Sequence, residues 1–467
     1  MLHQQSYDAL RQGYRAGKFS PVDVIKSALL HARSLNEATN AFSLIDEDVA
    51  MTLAQASANR WQKGQPLSPI DGMPMTVKDS AAVDGWPSRK GSRLSSTDPV
   101  AASTTYVSRL LDAGAVLFAK TRAPEFNWKG VTDSPAFGIT RNPLDLRLTP
   151  GGSSGGCAAA VAAGVVRVSL GSDAGGSVRI PAAFTGTIGL KPSFGRIPMA
   201  PVPSAFFNVV NTGPIAASTP DLADVMKIVS GADGYDWTSE GLKEATFEVD
   251  RKPDAALEIG VLDIARWGDS DPTVKAAMQE AIDVLNANGL DLKEVDFDVK
   301  RASDIGAFFY RLGCLSAVQS VPAESRSLLD PGLLQFVEVV ETADLADLMA
   351  MQKDRDLLCS QLQKLFEKVD VIMLPTLPIL PFAAGRNAPE GWHSDDWFSW
   401  NPFTPAFNLA QAPALTYPLW PAGSELPVGI QFVSAKGNDD LLVALSGLLE
   451  TLIPPRIATT AHQHTSQ

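Results

Sequence analysis

Apolar residues in this chain fall into two kinds of pattern, stripes of helical period and short unbroken runs, and the two alternate along its length. Over roughly the first 65 residues the pattern is polar and helix-periodic. Asp23, Val24, Ser27, Leu30 and His31 share a stripe there, which predicts an N-terminal helical layer packed on a larger body. Met73 to Val77 is a β-prone run that delivers Lys78 at its end and is followed by a loop rich in Gly, Ser, Pro and Asp. Tyr106, Val107, Leu110 and Leu111 make a helical stripe closed by Gly114, and Ala115 to Ala119 reads as a buried strand. Helix then strand recurs in Cys157 to Val166 and Arg167 to Leu170. Asp271 and Pro272 cap a further helix whose apolar face is Val274, Ala277, Met278, Ala281 and Leu285, with Gly289 at its end. This alternation predicts an α/β layer fold around a largely buried sheet.

Two stretches stand apart. Asp233 to Asp254 is polar and reads as a surface excursion. Pro375 to Pro405 is dense in Pro and Trp; Trp392, Trp397, Trp400 and Phe403 suit either a lid or ordinary packing, and packing is the simpler assignment. The 467 residues, 45% apolar and 19% charged, have the profile of a globular chain large enough to fold without disulfide or metal staples. The three cysteines, Cys157, Cys314 and Cys359, are scattered and lack metal-ligand spacing. A formal charge of −13 disfavours nucleic acid and anionic membranes as partners. Met1 to Leu10 lacks the basic and apolar regions of a secretion signal, and the run Cys157 to Val166 falls far short of the roughly 20 residues that span a bilayer. A cytoplasmic location is the expectation.

The densest chemistry lies in Pro150-Gly151-Gly152-Ser153-Ser154-Gly155-Gly156 and, after one helix and strand, Asp173-Ala174-Gly175-Gly176-Ser177. Glycine at this density lets backbone N–H groups approach a bound group. No G-x-G, P-loop or S-x-x-K pattern occurs, and the histidines, His3, His31, His393, His462 and His464, are too scattered for zinc chemistry. Gly151 to Gly155 does match G-x-S-x-G, which would make Ser153 a hydrolase nucleophile with His393 as its base. A serine without histidine needs another base, and a lysine serves only if desolvation lowers its pKa. Lys78, at the end of the apolar run Met73 to Val77, is the best placed lysine.

These residues also carry a resemblance. Thr76-Val77-Lys78-Asp79, Pro150 to Gly156, Gly171 to Phe184, Gly189-Leu190-Lys191-Pro192, Gly213-Pro214 and the C-terminal Pro405-Ala406, Asn408-Leu409-Ala410, Pro413-Ala414 and Leu426 to Gln431 resemble the amidase signature family. The resemblance is weakest between about Gly231 and Asp370. It implies one large α/β domain over residues 1–467, a central mixed β-sheet covered on both faces by helices. Within it, residues 1–65 form the N-terminal layer, 66–230 the signature core, 231–400 a variable substrate-side region and 401–467 the return to the core.

The resemblance further implies Ser177 as nucleophile, Ser153 as a bridging serine preceded by a cis peptide bond, and Lys78 as base. Backbone N–H groups of Ala174, Gly175, Gly176 and Ser177 would hold the oxyanion. Ser154, Asp173 and Arg179 read as supports of the loop, Asp79 as pointing away from the lysine, and Cys157 as core packing. No cofactor or metal is called for, and the partners expected are a small amide and water, with a homodimer compatible. Candidate pocket residues are Ile180, Asn127, Trp128, Phe206 and Phe207, with the segments Phe308 to Tyr310 or Trp397 to Phe403 as further candidates, and these aromatics suit the core equally. Apolar Ile180 stands where glutamine-hydrolysing subunits of tRNA-dependent amidotransferases usually have Gln, and Ala174 where they have Thr. The expectation is therefore an amidase acting on small amides with an aryl or aliphatic acyl group. The alternatives are a glutamine-hydrolysing subunit of that kind and a catalytically silent binding protein of the same fold.

Overall fold

The computed structural model describes residues 1–201, 206–250, 257–263 and 270–456. Thirteen strands occur among them: β1 (Phe42–Ile45), β2 (Pro74–Lys78), β3 (Val116–Thr121), β4 (Asp133–Ser134), β5 (Gly138–Ile139), β6 (Val168–Asp173), β7 (Ile188–Lys191), β8 (Asn211–Ala216), β9 (Glu258–Leu262), β10 (Asp291–Val295), β11 (Val371–Pro375), β12 (Ala414–Leu419) and β13 (Val428–Ser434). β4 and β5 form a small hairpin; the other eleven make one sheet in the order β1-β3-β2-β6-β8-β7-β12-β13-β11-β9-β10. Pairing is parallel for β3-β2-β6 and β11-β9-β10 and antiparallel between, so the sheet is mixed, as the resemblance implied.

Alternation along each strand explains why both faces are covered. In β3, Leu117 joins one core cluster while Val116 and Phe118 join another; in β11, Val371 and Met373 face one way and Ile372 and Leu374 the other. One cluster runs along the whole sheet beneath helices such as Pro272–Ala287. Its buried residues are Val274, Ala277, Met278, Ala281 and Leu285, the stripe read from the sequence. The opposite face is divided between the N-terminal helices with helix Gly155–Ala162 at one end and helices Val299–Gln319 and Pro405–Leu409 at the other. Residues of a strand buried on both faces read as unbroken apolar runs, which is why β2, β3 and β6 were legible.

Two readings need correction. Helix Pro21–Thr39 buries Val24, Ile25, Ala28, Leu29, Ala32 and Leu35, whereas Leu30 is 69% exposed. The inward stripe is thus rotated from the one predicted, because Ile25 and Leu29 outweigh Leu30 in filling the layer beneath. The N-terminal layer is also not wholly helical, since β1 pairs antiparallel with β3 and forms the sheet edge. Of the polar excursion from Asp233, Tyr235 and Trp237 are exposed while Phe247 is a buried anchor; residues 251–254 lie outside the described part. Trp397, Trp400 and Phe403 are core, as the packing assignment expected.

Candidate active site

Parallel pairing of β2 with β6 aligns Val77 with Leu170, so the C-terminal ends of these neighbours bring Lys78 beside Ser172. Ser153 arrives from the glycine-rich loop before helix Gly155–Ala162, and the Gly152–Ser153 peptide bond is cis. The loop lies hard against other backbone. A Cβ at Gly152 would stand 2.5 Å from the carbonyl of Val131, a contact no side chain tolerates.

Lys78 Nζ is 2.6 Å from Ser153 Oγ and 2.9 Å from Ser172 Oγ, and neither Lys78 nor Ser153 is exposed beyond 1%. Burial pulls the lysine pKa from 10.5 down to about 7, against weaker opposing effects of Cys157, Asp173 and Asp79. The neighbouring carboxylate of Asp79 accepts instead from Ser43 Oγ and the Gly91 N–H, so it does not pair with the amine. Cys157 is buried core with its Sγ 2.9 Å from Thr121 Oγ1. The described histidines lie elsewhere: His3 bonds Ser27 and His31, and His393 rests on Trp392. Ser153 therefore has lysine, not histidine, as its basic neighbour, which counts against the G-x-S-x-G assignment; His462 and His464 fall outside the described residues.

Ser177 joins the cluster through the backbone. Its carbonyl accepts from Ser154 N–H at 3.1 Å, while Ser154 Oγ and the Ser172 backbone bond each other at 3.2 and 3.3 Å. The turn from Asp173 to Ser177 is locked by one carboxylate. Asp173 accepts from Gly176 N–H at 2.8 Å, Val178 N–H at 3.1 Å and Asn408 Nδ2 at 3.0 Å, and pairs with Arg179. Burial alone would raise the Asp173 pKa, but the Arg179 charge and hydrogen bonds outweigh it and hold the group far below the usual carboxylate range. The Gly175 carbonyl is fixed from the other side by Asn401 Nδ2 and Thr404 Oγ1, both at 2.7 Å. Gly176 has φ +123°, and a Cβ there would meet Thr404 Oγ1 at 2.3 Å.

This locking bears on the expected oxyanion contacts. The Gly176 N–H is committed to Asp173, so it is not available to a ligand as the sequence reading had it. The N–H groups of Ala174, Gly175 and Ser177 make no hydrogen bond among the described residues. Ser172 was missed as a site residue although it lies inside the motif. Its signal was position, the penultimate residue of a strand parallel to the one ending in Lys78.

A cavity of about 340 Å³ opens onto Ser172, with Phe126, Asn127, Met199, Phe206 and Val210 among its walls and Lys90 as its only charged lining residue among those described. Asn127 and Phe206, two of the residues proposed from the sequence, line this cavity. Ile180 is buried beside Gly151 and Gly176, behind the turn. Trp128 and Phe207 do not line this cavity. Trp128 is buried with its Nε1 donating to Asp330 at 3.1 Å, and Phe207 is 38% exposed and packs on Phe309. Each neighbours a true cavity residue, and the left-handed φ of 62° at Asn127 and 48° at Phe207 turns the adjacent side chains apart. Tyr310 Oη donates to the Asn127 carbonyl at 2.5 Å, and an interaction with the Ser177 side chain lowers its pKa against the dominant effect of burial. Phe308 packs on Phe309. Trp397 and Trp400 pack around the turn as core.

The Amidase family model matches residues 23–443. A glutamyl-tRNA(Gln) amidotransferase subunit from Deinococcus deserti is 32% identical, over 96% of this chain and 97% of its own. Among solved structures, a bacterial aryl acylamidase of the amidase signature family superposes with a TM-score of 0.88 at 27% identity, covering 97% of this chain and 96% of that one. The corresponding glutamyl-tRNA(Gln) amidotransferase subunit from Thermotoga maritima superposes with a TM-score of 0.81 at 25% identity, covering 97% and 96%.

Proposed function

The chain belongs to the amidase family, an enzyme family of amide C–N bonds, and from that premise we propose that it hydrolyses amides through an acyl-enzyme on Ser177. Neutral Lys78 takes the proton of Ser153, and Ser153 takes that of Ser177, whose Oγ attacks the carbonyl carbon. The oxyanion forms against the N–H groups of Ala174, Gly175 and Ser177, one such donor being worth about 3–4 kcal/mol of barrier. The proton returns through Ser153 to the leaving amine, the C–N bond breaks, and water cleaves the ester by the same relay. The observation that carries this reading is the 2.6 Å approach of a fully buried lysine amine to Ser153, with no carboxylate among the described residues paired to it.

Two observations bear on the acyl group. The relatives that serve in amidotransferases support glutamine as the amide, with ammonia passed to a protein partner. The cavity supports the other reading. Glutamine brings an ammonium and a carboxylate, whereas the described walls offer Lys90 and no carboxylate, and a charge without a partner there is costly. The likeness to an aryl acylamidase agrees with this second line. On that physical ground we take a small uncharged amide as the substrate and the glutaminase as the competing reading. Steady release of ammonia from glutamine, without turnover of aryl amides, would reverse the choice. The nucleophile is tested by a fluorophosphonate probe: a phosphonyl adduct mapped to Ser177 and lost in Ser177→Ala supports the relay. An adduct that survives in Ser177→Ala and disappears in Ser153→Ala would replace it with the G-x-S-x-G assignment. The absence of any adduct, together with the absence of turnover, would favour the silent binding protein.

A further inference from the structure

Tyr310 belongs to helix Val299–Gln319, outside every segment that carries the family resemblance. Its ring is buried and held by Phe206, Trp397 and Phe398, with centroids 5.2, 5.3 and 5.5 Å away. It also faces the turn before Ser177, since a Cβ at Gly175 would come 3.6 Å from Tyr310 Cδ2.

A phenol has one proton to give. Here that proton goes to the Asn127 carbonyl at 2.5 Å. Consecutive left-handed residues, Phe126 and Asn127 with φ of 47° and 62°, set the position of that carbonyl, and Trp128 next to them is anchored on Asp330. Burial pushes the Tyr310 pKa well above its ordinary value, so the proton stays in place. Toward Ser177 the tyrosine oxygen can therefore only accept. It is available to the resting Ser177 hydroxyl. Once that hydroxyl turns its proton to Ser153, the oxygen is left beside the point of attack with an unfilled lone pair. An N–H on the atom next to the attacked carbon fills it.

We propose that Tyr310 is a substrate-positioning residue that accepts the N–H of the scissile amide and so selects amides bearing an N–H over esters and N,N-disubstituted amides, an inference that rests on Ser177 being the nucleophile. The test uses one acyl group on an anilide, its N-methyl derivative and the aryl ester. Tyr310→Phe keeps the ring and removes the acceptor. It should lower kcat/KM for the anilide by about tenfold or more and leave the N-methyl anilide and ester within about threefold. An equal loss on all three is what a merely structural role gives, and it overturns the proposal. Should the variant fail to fold, the wild-type enzyme decides: a preference of about tenfold or more for the anilide over its N-methyl derivative is expected, and equal rates overturn the proposal. A probe adduct on Ser177 without that preference defeats the tyrosine assignment alone. No adduct on Ser177 defeats the nucleophile assignment, and this inference with it.

Discussion

Asp173 grips Arg179 through Nη2 at 2.9 Å and Nε at 3.0 Å, and neither side chain has any solvent exposure. The pair does more than hold one helix. Arg179 also donates to the Thr404 carbonyl, Gln431 Oε1 and Asn408 Oδ1, so the turn that presents Ser177 is bolted to the C-terminal segments. Truncating one partner strands the other charge. Arg179→Ala is expected to cost about 3–5 kcal/mol of stability, read from chemical denaturation, together with the loss of amide hydrolysis.

Gly176→Ala should inactivate with a smaller loss of stability. A methyl group there meets Thr404 Oγ1 and Ile180 at 2.3 and 2.8 Å, on a backbone at φ +123°. The turn must shift, and the N–H groups of Ala174, Gly175 and Ser177 shift with it. The expected outcome is a fall in kcat of about a hundredfold or more with KM changed far less. Unchanged kcat would mean that the oxyanion is held elsewhere.

Ser172→Ala leaves Lys78 with Ser153 as its only hydroxyl partner among the described residues. The lysine then loses one of the two contacts that aim its lone pair, 2.6 and 2.9 Å away in the intact site. A drop in kcat of about tenfold, with thermal stability within a few degrees of wild type, is expected from steady-state kinetics and a melting curve.

Buried lysines also shape stability. Lys78 and Lys191 are drawn down to about 7 and Lys120 to about 8, each chiefly by burial, whereas in the unfolded chain they keep their protons up to an ordinary value of 10.5. Between those limits the unfolded state binds more protons than the folded one, so stability should rise with pH. Denaturant unfolding at pH 7.5 and 9.5 should show the increase, and Lys191→Met should flatten the slope. A decrease over that interval would contradict the burial of these amines.

Legibility followed the physics of each feature. The strand that carries Lys78 and the helix from Pro272 to Ala287 were visible because burial on defined faces writes itself as period and run. The sheet edge formed by Phe42 to Ile45 was not, since four residues between two helices are too few to show a period. The glycine cluster and Lys78 were found by composition and by the rarity of an apolar run ending in lysine. That Asp173 consumes the Gly176 N–H, and that Tyr310 bonds the Asn127 carbonyl across 183 positions, are consequences of packing that no local pattern records. That Asn127 and Phe206 line the cavity while Trp128 and Phe207 do not has the same cause: one residue of offset reverses which way a side chain points.

Everything in the relay requires an uncharged Lys78, and the pH dependence of kcat/KM for an amide tests that most directly. With the lysine pKa near 7, the rate should be level above about pH 8 and fall tenfold per unit below about pH 6, a limb absent from the residual activity of Lys78→Ala. A rate that stays level to pH 5 in the wild-type enzyme would contradict the account.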